Sequence, residues 1–354
     1  MYRHDDGLFP FSTRREHSQL RHDYAHPHTL RYTVNTLLGL QRAAPTNGAG
    51  GFLGGTDAML ERFLDLHLAE ARGAADLGLL LLLLAERNGD ERLAGVLRRA
   101  EEAFARTLPK RVTLQDLCWL LWGSSVAARH GGAGAEPLAR RVFRLVDEGF
   151  VDRRSLLPRH SLARHRSSVV SFGAIVYFLR AAYEYGSLTG EDRPAQLFRS
   201  GLDTMLRIQG PQGQWPWMIS VRTGIPLDFY PVFGVHQDSM AMLFLLPALD
   251  DGVADVEHAI RRSVAWSRGA NELGEPMYGD GEFFAYRSIR RREPLVRPRR
   301  YARSVARALA DRPGSLADPE RLTVNRECRS YHLGWILYAW AGRTDRPRLD
   351  ASWR

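Results

Sequence analysis

Apolar residues recur every three or four positions along most of the chain. In 56–71 the stripe is Met59, Leu60, Phe63, Leu64 and Leu68, and Thr56 stands before it as an N-cap. In 28–43 it is Leu30, Val34, Leu37 and Leu38 with Gln41 beside them, and in 113–130 it is Leu117, Leu120, Leu121 and Val126. The same spacing predicts helices over 76–87, 90–108, 136–149, 167–185, 193–208, 236–249, 253–267, 301–310 and 331–341. Asn88-Gly89, Pro109 and Gly131-Gly132 end three of them, because each interrupts the helical backbone. The main breaks are a Gly-rich stretch at 48–55 and two long segments at 209–235 and 269–300. Almost no window alternates with the period of two that a half-buried strand requires.

Helices of this length joined by short links pack as antiparallel neighbours. No strict sequence repeat points to a solenoid, and no composition shift marks a boundary. The expectation is an all-α protein, an (α/α)6 toroid of about twelve helices in six hairpins. It occupies a single domain at 28–345, after an N-terminal extension at 1–27 and before a C-terminal tail at 346–354. An irregular helical bundle is the alternative architecture.

Composition narrows the class. Of 354 residues, 44% are hydrophobic and 25% charged, values of a globular chain with a sizeable core. Two cysteines, Cys118 and Cys328, exclude a disulfide framework and suit a reducing compartment. The longest apolar run, 77–85, is too short for a bilayer, which needs about 20 residues. A cytoplasmic protein is expected. The net charge is +9, almost all of it arginine, since Lys110 is the only lysine. That skew reads as codon bias, and no nucleic-acid motif accompanies it, so no nucleic-acid partner is expected. Eight arginines crowd 287–303 (Arg287, Arg290, Arg291, Arg292, Arg297, Arg299, Arg300 and Arg303) against one acid, Glu293. They read either as a solvated surface or as a cluster for an anionic group or a membrane surface, which keeps a membrane-peripheral placement open.

Candidate chemistry gathers around the first long break. Trp215, Trp217, Phe229, Tyr230 and Phe233 precede Asp228, His236 and Asp238 or interleave with them. Burial beside aromatic rings raises a carboxyl pKa, as a proton donor needs, so Asp238 is the candidate acid with His236 and Asp228 as partners. Capping of the helix that starts at 236 is the plainer reading of Asp238, and core packing that of the rings. Glu327, Arg329, Tyr331 and His332, before the last helix, form either a capped helix start or a second wall of one substrate pocket. Cys328 and His332 lie four residues apart, but no third ligand is evident, so neither a metal nor a cofactor is expected. A small-molecule substrate is.

Gln209, Gly213 and Trp215 resemble the Gln-x-x-x-Gly-x-Trp core repeated in squalene–hopene cyclases and other class II terpenoid cyclases. The resemblance implies the α/α toroid, with Gln209 and Trp215 as braces between helices. It also implies an isoprenoid substrate protonated by an aspartate, with aromatic walls stabilising carbocations. The family's Asp-x-Asp-Asp acid motif is absent. The runs at 230–238, 327–335 and 30–33 are similar to those of a bacterial group of toroid proteins of unassigned function. The alternative reading of the same residues is a carbohydrate-active toroid of glycosidase, lyase or epimerase type, with carboxylates as acid and base and tryptophans stacking on sugar rings. A binding scaffold using the arginine stretch is a third.

Overall fold

In a computed structural model the chain is described at residues 1–17, 19–44, 55–87, 89–109, 111–163, 166–279, 284–292 and 297–345. The Gly-rich break at 48–55 lies almost wholly outside these residues, as do Glu293 and the tail at 346–354. The described helices are α1 (Thr29–Ala43), α2 (Thr56–His67), α3 (Ala74–Ala85), α4 (Arg92–Ala105), α5 (Leu114–Arg129) and α6 (Ala135–Leu145). They continue as α7 (Phe172–Thr189), α8 (Asp192–Ile208), α9 (Met242–Asp250), α10 (Val256–Ser267), α11 (Arg297–Leu309) and α12 (Ser330–Trp340). A π-helical turn, His236–Met240, leads into α9.

Six units follow one another around an axis: α1, α3, α5, α7, the π turn with α9, and α12, which returns to α1. Helices α1, α3, α5, α7, α9 and α12 are inner because they are apolar on most sides. In α3, Ala75 and every residue from Leu77 to Ala85 are buried. Outside them α2, α4, α6, α8 and α10 each cover their own hairpin partner. These helices bury one face only, as the stripe of Leu138, Ala139, Val142 and Phe143 in α6 does. The all-α toroid is therefore the architecture, with one departure: α11 packs on two strands at the rim instead of on the outer ring.

Those strands are the main surprise. Eight short strands form three antiparallel sheets among the described residues. The first pairs β1 (Ser12–Glu16) with β2 (Gln19–Asp23). The second has the order β3 (Val169–Ser171), β4 (Met218–Ser220), β5 (Pro226–Asp228), and the third β6 (Val232–Phe233), β7 (Ser288–Arg291), β8 (Leu322–Asn325). Strands of two to five residues leave no alternation to read. The segments at 209–235 and 269–300, expected as loops, thus carry β4 to β7 and the start of α11. The β1–β2 hairpin is tied to the far end of the chain by paired backbone hydrogen bonds between Thr13 and Cys328, both 2.8 Å.

Glycines set the inner helix spacing. A Cβ on Gly39 of α1 would stand 2.0 Å from the carbonyl oxygen of Gly334 in α12, and one on Gly123 of α5 would stand 1.9 Å from that of Gly78 in α3. The Gln209–Trp215 segment is a second brace. Gln209 Nε2 donates to the carbonyls of Gly213 and of Ala259 in α10, both at 3.0 Å. Gly213 has φ +93°, and a Cβ there would lie 2.2 Å from the Arg262 carbonyl oxygen. Trp215 Nε1 donates to Ser263 Oγ (2.8 Å), which donates to the Gln237 carbonyl (2.7 Å). The segment thereby ties α8, α10 and the π turn together.

Three substitutions test this packing. Gly39→Ala lowers the unfolding free energy by at least about 3 kcal/mol, because backbone faces backbone. Gly95→Ala, on α4 with nothing within 4 Å of its Cβ, raises it by up to about 1 kcal/mol through helix propensity. Gln209→Ala costs about 1–3 kcal/mol through the two orphaned carbonyls. Denaturant titration reads all three.

Candidate active site

The inner helices run parallel, so their N-terminal turns meet at one rim. Tyr32 and Asn35 of α1, Gln115 and Trp119 of α5, Ser171 and Tyr177 at the start of α7, His236 and Met240 of the π turn, and Tyr331 of α12 line a cavity of about 190 Å³ there. Trp217 and Phe233 complete it from the second and third sheets. The first and last inner helices meet at its edge, where the rings of Tyr32 and Tyr331 are 4.4 Å apart.

His236 is the titratable base in this lining. It is buried against Phe172 (ring centroids 4.5 Å) and Phe233 (4.9 Å), and its Nδ1 has no hydrogen-bond partner within the protein. Burial, reinforced by nearby His332, pushes its pKa down to about 3, so the ring is neutral at ordinary pH. Asn35 Oδ1 is likewise unpartnered. Burial raises the pKa of Tyr32, Tyr177 and Tyr331, which keeps their hydroxyls protonated as donors.

Each candidate carboxylate is held by partners. Asp238 accepts a hydrogen bond from Tyr278 Oη (2.7 Å) and pairs with His332 Nε2 at 2.8 Å, while its backbone carbonyl accepts from Trp340 Nε1. His332 lies behind Gly234, whose Cβ would be 3.1 Å from its ring. Asp228 is fully buried between Arg291 Nη1 (2.8 Å) and Arg303 Nη2 (3.3 Å), and takes the Tyr230 N–H. Glu327 binds Arg287 and Arg329, each at 2.8 Å, with Arg14 at 3.5 Å. Burial would raise the Glu327 pKa, but the Arg287 hydrogen bond and the three arginine charges hold it below its ordinary 4.5.

Of the residues singled out by sequence, His236, Trp217, Phe233 and Tyr331 share the cavity. Trp215 is buried in the helical core beside Phe172 and Phe244. Phe229 and Tyr230 pack in a separate cluster with Trp266, Met277, Ile289 and Leu322. Arg329 stacks over Phe11 at 3.7 Å. The arginine stretch is no free loop: Arg287, Arg291 and Arg303 neutralise buried acids, and Arg292 donates to the Leu322 carbonyl. Sequence reading missed Asn35, Gln115, Trp119, Ser171 and Tyr177. The signal for Asn35, Gln115 and Ser171 was a polar residue at the start of an apolar helix. Among the described residues no three His, Cys, Asp or Glu side chains gather as a metal site, and no helix is long and apolar enough to cross a membrane.

No family model matches the sequence, and no curated protein is significantly similar to it. Solved structures do resemble the fold. An unsaturated glucuronyl hydrolase specific for heparin has TM-score 0.59 at 13% identity, over 94% of this chain and 90% of that one. The cellobiose 2-epimerase of Bacillus thermoamylovorans has TM-score 0.58 at 12% identity, over 89% and 88%. A possible member of the GH105 family from Salmonella enterica has TM-score 0.59 at 10% identity, over 94% and 88%. At such identities the likeness is one of fold, the α/α toroid.

These neighbours overturn the resemblance to terpenoid cyclases, and with it the isoprenoid reading. The physical reason is visible at Gln209, Gly213 and Trp215. Their contacts are those of a brace between helices, which any toroid needs and which carries no isoprenoid chemistry.

Glu327 provides a pH test. A carboxylate whose folded pKa lies below its unfolded one contributes stability in full above about 4.5 and loses it as pH falls through the folded value. The melting temperature of Glu327→Gln therefore lies below that of the native protein at pH about 7, and the gap narrows at pH about 3.5. Thermal melts at both pH values check this.

Proposed function

We propose that this protein is a carbohydrate-active enzyme that moves a proton on a sugar bound in the mouth of the toroid. The observation that carries the reading is His236: a neutral imidazole lining a cavity walled by aromatic rings and amides, with its Nδ1 buried and unpartnered. Aromatic faces such as Trp217 and Trp119 stack on sugar rings, and Asn35, Gln115 and Ser171 suit hydroxyl groups. The sugar-acting toroids among the structural neighbours support the same substrate class.

The lining also favours one reaction type. Glycoside hydrolysis generally uses two carboxylates flanking the bond. Among the described residues this lining has none, and Asp238, Asp228 and Glu327 are committed elsewhere. Epimerisation or isomerisation needs instead a group that takes a proton and returns it. Neutral His236 removes the hydrogen on the carbon beside the carbonyl of an open-chain sugar. The C–H electrons form a C=C bond, and the carbonyl oxygen becomes an enediolate. Tyrosine hydroxyls and the N-terminal ends of the inner helices stabilise that negative charge. Burial keeps the His236 ring uncharged and able to accept a proton but makes it a weak base, so the enediolate charge that develops beside it has to stabilise the imidazolium. Asp238 and Tyr278 act at one remove, fixing His332 behind the turn that carries His236.

The test is solvent deuterium exchange on reducing sugars, including cellobiose and mannose, followed by NMR. The native protein incorporates deuterium at the carbon beside the carbonyl. His236→Gln folds with an unchanged circular dichroism spectrum and loses about 10²–10⁴ of the exchange rate. Glycoside cleavage without exchange, retained in His236→Gln, would overturn the reading.

A further inference from the structure

A second concavity opens beside the mouth. It measures about 880 Å³ and lies between the β1–β2 hairpin and the β7–β8 pair. That is within the roughly 300–1,000 Å³ range that encloses ligands of a few rings. Among the described residues its lining carries Arg14, Arg15, Arg290 and Arg326, with Phe284 and Tyr286 as aromatic surface, and one carboxylate, Glu327. That carboxylate is already shared by Arg14, Arg287 and Arg329. Among the described residues the lining therefore carries more arginines than carboxylates. Arg326 also lies 5.7 Å from the Tyr286 ring and pairs with exposed Glu275.

Among the described residues the linings of the two concavities have no residue in common, but one ion pair links them. Glu327 lines the larger one, and Arg287, bound to Glu327, sits 5.7 Å from the ring of Phe233, which lines the mouth. A chain longer than one sugar, with one residue in the mouth, meets this groove next.

We propose that the groove is a subsite for an anionic sugar residue, so that the substrate is an acidic oligosaccharide bearing a carboxylate beyond the reacting unit. This rests on the reading that the mouth binds sugar. Tyr286 offers a ring face for stacking, and exposed Arg290 and Arg326 offer guanidinium forks that match a carboxylate. A neutral oligosaccharide gains no charge-assisted contact with Arg290 or Arg326, whereas an acidic one gains contacts that salt screens.

Calorimetric titration of the full chain with a uronic-acid tetrasaccharide and with a neutral tetrasaccharide tests it. The acidic oligomer binds the native protein about tenfold or more tightly than the neutral one, as one charge-assisted hydrogen bond or more implies. That advantage disappears in Arg290→Ala/Arg326→Ala and between about 0.05 and 0.5 M salt. Arg106→Ala, remote on α4's C-terminal side, keeps it. Both groove arginines are exposed, so the variant folds, and neutral-sugar binding reports that the mouth is intact. Equal binding of the two oligomers, or an advantage that survives the double variant, overturns the groove while leaving the mouth reading standing. If neither oligomer binds, the mouth reading falls and this proposal with it. Single-stranded DNA binding as tightly as the acidic oligomer also overturns it, because the groove is then a general polyanion surface.

Discussion

The backbone contact between α1 and α12 holds the rest of the structure in place. Gly39 and Gly334 let two inner helices touch without side chains between them. That contact closes the ring and fixes its width, with Gly78 and Gly123 doing the same between α3 and α5. A narrow ring of helices aligned in one direction brings their first turns together at one rim. Tyr32 then meets Tyr331, and the small cavity around His236 takes its size from the same spacing. Larger residues at these seams would widen the mouth before they altered any residue in it.

Charge is distributed around that rim by the same geometry. The three candidate acids near the mouth each have a partner on another element: Asp228 on α11 and β7, Glu327 on β1, beside β7 and at the start of α12, and Asp238 at His332. Buried carboxylates without such partners would be protonated or costly. The arrangement leaves a neutral imidazole in the cavity and a surplus of guanidinium groups beside it.

The helices were legible because inner and outer helices both show a 3.6-residue period, whether as a stripe or as an all-round apolar run. The strands were not, since β6 has two residues and β3 to β5 three each. The aromatic break at 209–235 stood out by composition, and its Trp217 and Phe233 and the adjoining His236 do reach the cavity. The other half of the lining did not stand out. Trp119 and Tyr177 have the same apolar spacing as core residues, and only the fold decides which turns of a helix face the opening. The partners of Asp228 were out of reach for a different reason. Arg291 and Arg303 lie 63 and 75 positions further along the chain, and no local pattern records such a pairing.

The hydrogen bonds between Thr13 and Cys328 place the beginning of the chain on its end. The groove, whose walls come from β1 and from β7 and β8, and the mouth, which needs both α1 and α12, exist only once both ends are in place. During synthesis the first five hairpins can collapse and pack while neither binding surface has yet formed. A product stalled before α12 would be helical and partly compact, with neither concavity complete.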